Sequence, residues 1–207
     1  KDVDDHNLRE THSRNVEKSK TKNNKYYVGS PKMDSLAVME EHLKKCPKYR
    51  KDANINIKLV LSASPEFFQN ATKKQIEEWE KDTQKWVEDT FGKDNLIYSV
   101  VHNDEKTKHF HVSFTPIAPD GKLNSGYWFD GPAKLKKLHD SYNKITKKYG
   151  LRRGIEGSEA KHISTTEYYR NLHEQNQQLE QEKNIKQSEL KTIERSEEHT
   201  SELQSLT

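Results

Sequence analysis

Apolar residues in this chain fall in short, regularly spaced groups between charged stretches, and the spacing alone divides it into elements. Ile55, Ile57, Leu59 and Leu61 alternate with Asn56 and Lys58, the period-two pattern of a strand buried on one face. Ile76, Trp79, Thr83, Trp86, Val87 and Phe91 recur at three and four, which predicts a helix over 73–91 that Gly92 stops. A second amphipathic helix is predicted over 133–149, with Leu135, Leu138, Tyr142, Ile145 and Tyr149 on one stripe and Gly150 at its end. Two strand-like runs, 96–102 and 109–115, lie between these helices, and Asp120-Gly121 reads as a turn. Asp34 is a candidate cap for a short helix over 35–45 with Leu36, Met39 and Leu43 on one side and Pro47 beyond its end. Ser64-Pro65-Glu66 reads as a helix start. Residues 1–31 are polar and only weakly periodic. From Thr165 onward Glu, Gln, Asn and Lys predominate, which predicts a long solvated helix; Leu172, Leu179 and Leu190 make an irregular heptad that would suit a dimer. The order predicts an α+β domain: an antiparallel sheet with helices packed on one face, followed by a long C-terminal helix.

Composition narrows the class. With 207 residues, 30% hydrophobic and 33% charged, the chain has room for one economical core and an appended helix. No apolar run approaches the roughly 18 residues of a membrane span, and there is no secretory segment. The single cysteine, Cys46, cannot form an internal disulfide, which suits a reducing cytoplasm. Charge is uneven. Residues 164–207 carry five Lys/Arg against nine Asp/Glu, a net of −4, and residues 1–163 carry 31 against 24, a net of +7. The basic part is where a polyanion would bind. The chain begins at Lys1 with its first motif close behind, so a preceding segment is expected to be missing. Residues 195–205, RSEEHTSELQS, resemble a translated sequencing adapter, so 195–207 are expected to be a non-native tail.

The chemistry concentrates in 100–114, VVHNDEKTKHFHVSF, where three histidines and two carboxylates fall within ten residues. On a strand, His109 and His111 share a face with Ser113, while Phe110, Val112 and Phe114 take the other. His102 ends the preceding strand. Antiparallel pairing through the loop 103–108 would set it opposite His109, with β-carbons about 5 Å apart. Three neutral imidazoles at one point make a divalent-metal site with positions left open for substrate. Glu105 is a candidate fourth ligand or a group that orients a ring, and Asp104 competes with it.

His109-Phe110-His111 resembles the paired-histidine signature of the HUH endonucleases, and the longer HxDExTxHxH pattern resembles the Mob/Pre relaxases of the MobV class. His6-Asn7-Leu8-Arg9 resembles their HNxR motif. Arg50-Lys51-Asp52-Ala53, Gly121-Lys122-Leu123-Asn124-Ser125, Phe129-Asp130 and 158–162 resemble further segments in the expected order, and the likeness covers about 5–170. The family opens with a strand before HNxR, and this chain has Lys108 where the family usually has proline.

The resemblance implies a relaxase catalytic domain over 1–163 with a helical extension over 164–194. The implied activity is metal-dependent nicking and rejoining of single-stranded or melted DNA at a plasmid origin of transfer, through a covalent bond to the 5′-phosphate. In its terms His102, His109 and His111 hold Mn2+ or Mg2+, His6 is the nucleophile, Arg9 braces the phosphate and Glu105 acts as base. Tyr26 and Tyr27 are the alternative nucleophiles. Lys18, Lys20, Lys22 and Lys25 are expected to follow phosphates, with Lys108 adding a contact. His12 and His162 receive no role. Two competing readings are a replication initiator or transposase of the same superfamily with a tyrosine nucleophile, and a DNA- or metal-binding module without catalysis.

Overall fold

A computed structural model describes residues 2–10, 16–46, 48–154 and 165–205, with the backbone only at 2–3, 165–166, 168–169 and 194–205. Pro47, His12, His162 and the segment 158–162 lie outside the described residues. Contacts divide the chain into two units, Lys1–Gly154 and Ile155–Thr207.

The first unit is built on a four-stranded antiparallel sheet of β1 (Lys25–Val28), β2 (Ile57–Ser62), β3 (Leu96–His102) and β4 (His109–Phe114), in the order β1-β3-β4-β2. Every residue of β3 is buried, because it lies inside the sheet and both of its faces are covered. On one face, α4 (Lys73–Phe91) and α6 (Gly131–Thr146) meet Phe110, Val112 and Phe114 around Trp79, Trp86, Val87 and Phe91. Thr72 caps α4 in a reciprocal capping box with Gln75, and Gly92 at φ +86° leaves the helix in a conformation other residues adopt at a cost. The α6 stripe buries Leu138, Tyr142 and Ile145 against the same core. Gly150, at φ +76°, ends the turn that follows it.

The opposite face carries smaller helices. Leu8, just beyond α1 (Asp2–Asn7), and Met39 of α2 (Ser35–Lys44) pack with Ile97, Tyr98 and Val100. Asp34 caps α2 as expected, accepting from the amides of Leu36 and Ala37. Leu36 itself is 48% exposed, so the buried side of α2 runs through Met39 and His42 instead. Short helices α3 (Pro65–Asn70) and α5 (Gly126–Phe129) complete the unit. Two elements of the N-terminal 31 residues escaped the periodicity: α1 and the four-residue edge strand β1 are each too short to display a period.

The second unit holds α7, Thr165–Ser205, with Leu172, Leu179, Ile185, Leu190 and Ile193 exposed along it. Among the described residues no helix is long and apolar enough to cross a membrane.

Candidate metal centre

Strand register assembles the histidines. His102 pairs with His109 and Val100 with His111 across β3 and β4, so all three rings share one sheet face near the β3–β4 loop. One ring nitrogen of each lies within 4.8 Å of the others. Ring rotations that draw these nitrogens together would close the set on a divalent ion.

Hydrogen bonding selects the inward nitrogens. His102 Nε2 lies 2.8 Å from the carbonyl oxygen of Asn7. A carbonyl only accepts, so Nε2 carries the proton and Nδ1 keeps its lone pair. His109 Nδ1 donates to the Thr107 carbonyl at 2.8 Å, which leaves Nε2 unprotonated. His102 Nδ1 and His111 Nε2 are buried with no hydrogen-bond partner. Buried polar atoms without partners are costly, and two lone pairs converging here are what a divalent cation would satisfy. Burial, together with the neighbouring imidazoles, pushes the His111 pKa down to about 2, and burial also lowers that of His109. Both rings are therefore neutral at physiological pH.

Glu105 occupies the middle of the cluster. Its Oε1 lies 3.5 Å from His102 Nδ1, 3.8 Å from His109 Nε2 and 3.7 Å from His6 Nε2, and it accepts from Arg9 Nη2 at 2.7 Å. Burial disfavours its charge, but the Arg9 guanidinium that donates to it outweighs that and holds the carboxyl down at about 2. His6 lies in the last turn of α1 beside this carboxylate, with its ring centroid 6.2 Å from that of His102 and 6.1 Å from that of His111. Burial and Arg9 lower its pKa, so it too is neutral, and its side chain is 33% exposed where those of His102 and His109 are 0% and 14%.

Arg9 follows in the left-handed region at φ +60°, a costly conformation for a residue with a β-carbon. Its side chain turns inward, 7% exposed, and donates to Asp104, Glu105 and the His6 carbonyl. Asp104 is fully enclosed and also accepts from Thr21 and Asn24. Its backbone carbonyl takes the Glu17 amide. Asp104 thus ties α1, the turn at Lys18–Asn23 and the β3–β4 loop to one carboxylate. In the sequence it stands only as a competitor of Glu105; a DE pair close to a histidine does not tell which acid faces the histidine cluster.

The remaining candidates separate. Lys18, Lys20 and Lys22 are exposed on the turn that Thr21 and Asn24 anchor at Asp104, with Lys20 meeting Glu17. Lys25 and Lys108, the other two phosphate candidates, both turn their ammonium groups to Glu80 of α4, at 3.1 and 2.5 Å. Tyr26 pairs with Val100, in line with His111, and packs with the cluster on the histidine face. Tyr27 stacks on Phe110 with its hydroxyl 3.2 Å from Glu80, on the other face.

The sequence profile of the plasmid recombination enzyme family, Mob/Pre, matches residues 1–170. The chain belongs to that family. Among its relatives, a 65 kDa protein of Zymomonas mobilis is 34% identical over 171 residues, covering 81% of this chain and 29% of that protein. A plasmid recombination enzyme type 3 of Staphylococcus aureus is 30% identical over 161 residues, covering 74% and 39%. The chain therefore spans only about a third of the length of these relatives. Among solved structures, the relaxase domain of MobM, described as Mn-bound and in complex with oriT DNA of a plasmid, superposes with a TM-score of 0.71 at 22% identity, covering 82% of this chain and 91% of that one. The α+β fold expected from the sequence is thus the fold of that relaxase domain.

Proposed function

We propose that this chain carries the catalytic centre of a DNA relaxase that nicks and rejoins one strand at a plasmid origin of transfer. One observation carries the reading: the partly exposed His6 shares the Glu105 carboxylate with the three-histidine cluster, about 6 Å from two of its rings. Family membership and the oriT-bound relaxase neighbours support it. His102, His109 and His111 would hold a divalent cation, Mn2+ or Mg2+, which as a Lewis acid withdraws charge from the scissile phosphate.

The chain's own residues supply the rest. His6, neutral because it is desolvated, presents a nitrogen lone pair to phosphorus. A P–N bond forms and the P–O bond to the 3′-oxygen breaks, so the 5′-phosphate stays on the protein and the released 3′-oxygen takes up a proton. Glu105, ionised throughout the physiological range, orients the His6 ring and accepts its proton. Arg9 holds Glu105 and the His6 carbonyl in place. The exposed Lys18, Lys20 and Lys22 would follow the backbone of single-stranded or melted DNA. The exposed leucines of α7 would suit a dimer, and the setting would be the bacterial cytoplasm.

The test is a cleavage assay on single-stranded origin oligonucleotides, with and without Mn2+, using the chain restored to the full length of its relatives. The expected product is a covalent adduct to the 5′ end that is acid-labile and alkali-resistant, as a P–N bond is. Binding without Mn2+-dependent cleavage would assign the domain to a non-catalytic module.

A further inference from the structure

The buried face of α4 carries a carboxylate that packing does not require. Glu80 follows Trp79 among the enclosed residues of the helix, and its side chain is 4% exposed. Its Oε2 accepts from Lys25 Nζ at 3.1 Å and from the Tyr27 hydroxyl at 3.2 Å, and its Oε1 accepts from Lys108 Nζ at 2.5 Å. A carboxylate out of water is retained only when paired as fully as this one. All of these contacts lie under the sheet, on the face away from the histidines.

We propose that Glu80 is a positioning residue for the metal centre, acting through Lys108 on the end of the loop that delivers Glu105 and His109. The inference rests on the proposed metal-binding role of the three histidines. Lys108 is gripped twice: its ammonium by Glu80, and its carbonyl by the Ser62 hydroxyl of β2 at 2.8 Å. Directly before it, the Thr107 carbonyl receives the Nδ1 proton of His109, and that bond aims His109 Nε2 into the cluster. Restraining the backbone at Lys108 therefore sets the tautomer and direction of a ligand ring. In this chain a lysine tied through the sheet supplies the restraint. Lys25 uses the other carboxylate oxygen to hold β1, and so serves as an internal control.

The experiment measures Mn2+ affinity of the 207-residue chain by titration calorimetry, alongside urea unfolding, for Glu80→Gln, Lys108→Met, their double variant and Lys25→Met. Mn2+ binding requires neither DNA nor His6, so failure of the nucleophile assignment leaves this readout intact. Glu80→Gln and Lys108→Met should each weaken Mn2+ binding about tenfold, the scale for groups that orient a ligand. The double variant should be no weaker than either single, because both remove one link. Lys25→Met should lower stability and keep Mn2+ affinity within about twofold. The proposal is overturned if Lys25→Met weakens binding as much as the other two, since Glu80 would then matter only for general stability. Parental affinity in folded Glu80→Gln and Lys108→Met, or no Mn2+ binding by the parent chain, overturns it as well. If Glu80→Gln does not fold, Lys108→Met against Lys25→Met decides between the same outcomes.

Discussion

Asp104 grips Arg9 through both carboxylate oxygens, Oδ2 to Nε at 2.9 Å and Oδ1 to Nη2 at 2.5 Å, with the two side chains 0% and 7% exposed. Two parallel charge-assisted bonds fix the plane of the guanidinium. Its other contacts, to Glu105 and the His6 carbonyl, inherit that orientation. Asp104→Ala leaves a buried guanidinium without its main counter-charge, and such breaks cost about 3–5 kcal/mol. Urea unfolding should show a loss of that size. A loss below about 1 kcal/mol would mean that Arg9 is held by Glu105 alone.

Acid should destabilise the metal-free chain, and His111 sets much of the window. Its pKa falls from 6.5 in the unfolded chain to about 2 in the fold. Between these values the unfolded state binds a proton that the native state refuses, so stability falls as pH drops below about 6.5. At pH 5 the loss from this residue is about 2 kcal/mol relative to pH 7. Glu105, depressed from 4.5 to about 2, contributes stability that is present above about 4.5 and lost as pH falls towards 2. Replacing His111 with Gln should flatten the slope between pH 5 and 6.5 while leaving the steeper fall below 4.5. An unchanged slope in that variant would assign the acid sensitivity to other groups.

Strand periodicity makes the histidine face legible in the sequence itself. The alternation in 109–114 and the length of the 103–108 loop decide which rings meet, and those are local properties of the chain. α4 was equally legible, because its period and its terminal glycine agree. Glu80 was not: a charged residue in an otherwise amphipathic helix reads as solvent-facing, and only the tertiary approach of Lys25 and Lys108 makes its burial tolerable. The same non-local pairing hid the contacts of these two lysines, which in sequence look like any other basic residues. Tyr26 and Tyr27 look equivalent until β1 exists, and β1 is a strand because β3 pairs with it, not because four residues show a pattern.

Metal binding and strand cleavage should fail together when the ligands go. His109→Ala and His111→Ala each remove one of the three converging nitrogens, so Mn2+ affinity and nicking should both fall by at least about tenfold. Circular dichroism should report an intact fold, because His109 and His111 lie at the open end of the sheet and the aromatic core is on its other face. Full cleavage in chelator by a folded double variant would remove the histidines from the catalytic centre.

The nucleophile assignment separates on which side of the sheet a side chain occupies. His6 lies on the histidine face beside Glu105, and Tyr26 is on the same face, half-buried against Tyr98 and Val100. Tyr27 is on the opposite face under Phe110, where no phosphate held by the histidines could reach it. Tyr27→Phe should therefore leave the DNA adduct intact and cost about 1 kcal/mol of stability through the lost Glu80 bond. Tyr26→Phe keeps the packing ring and should also leave the adduct intact. Burial raises the Tyr26 pKa, so its hydroxyl is less readily ionised than a free phenol and is a poor nucleophile at neutral pH. His6→Ala should abolish the adduct with DNA binding nearly unchanged, since phosphate contacts are spread over many basic residues. Adduct formation by His6→Ala, combined with its loss in Tyr26→Phe, would transfer the chemistry to a tyrosyl phosphodiester. The acid stability of the remaining adduct would then report the change of bond independently.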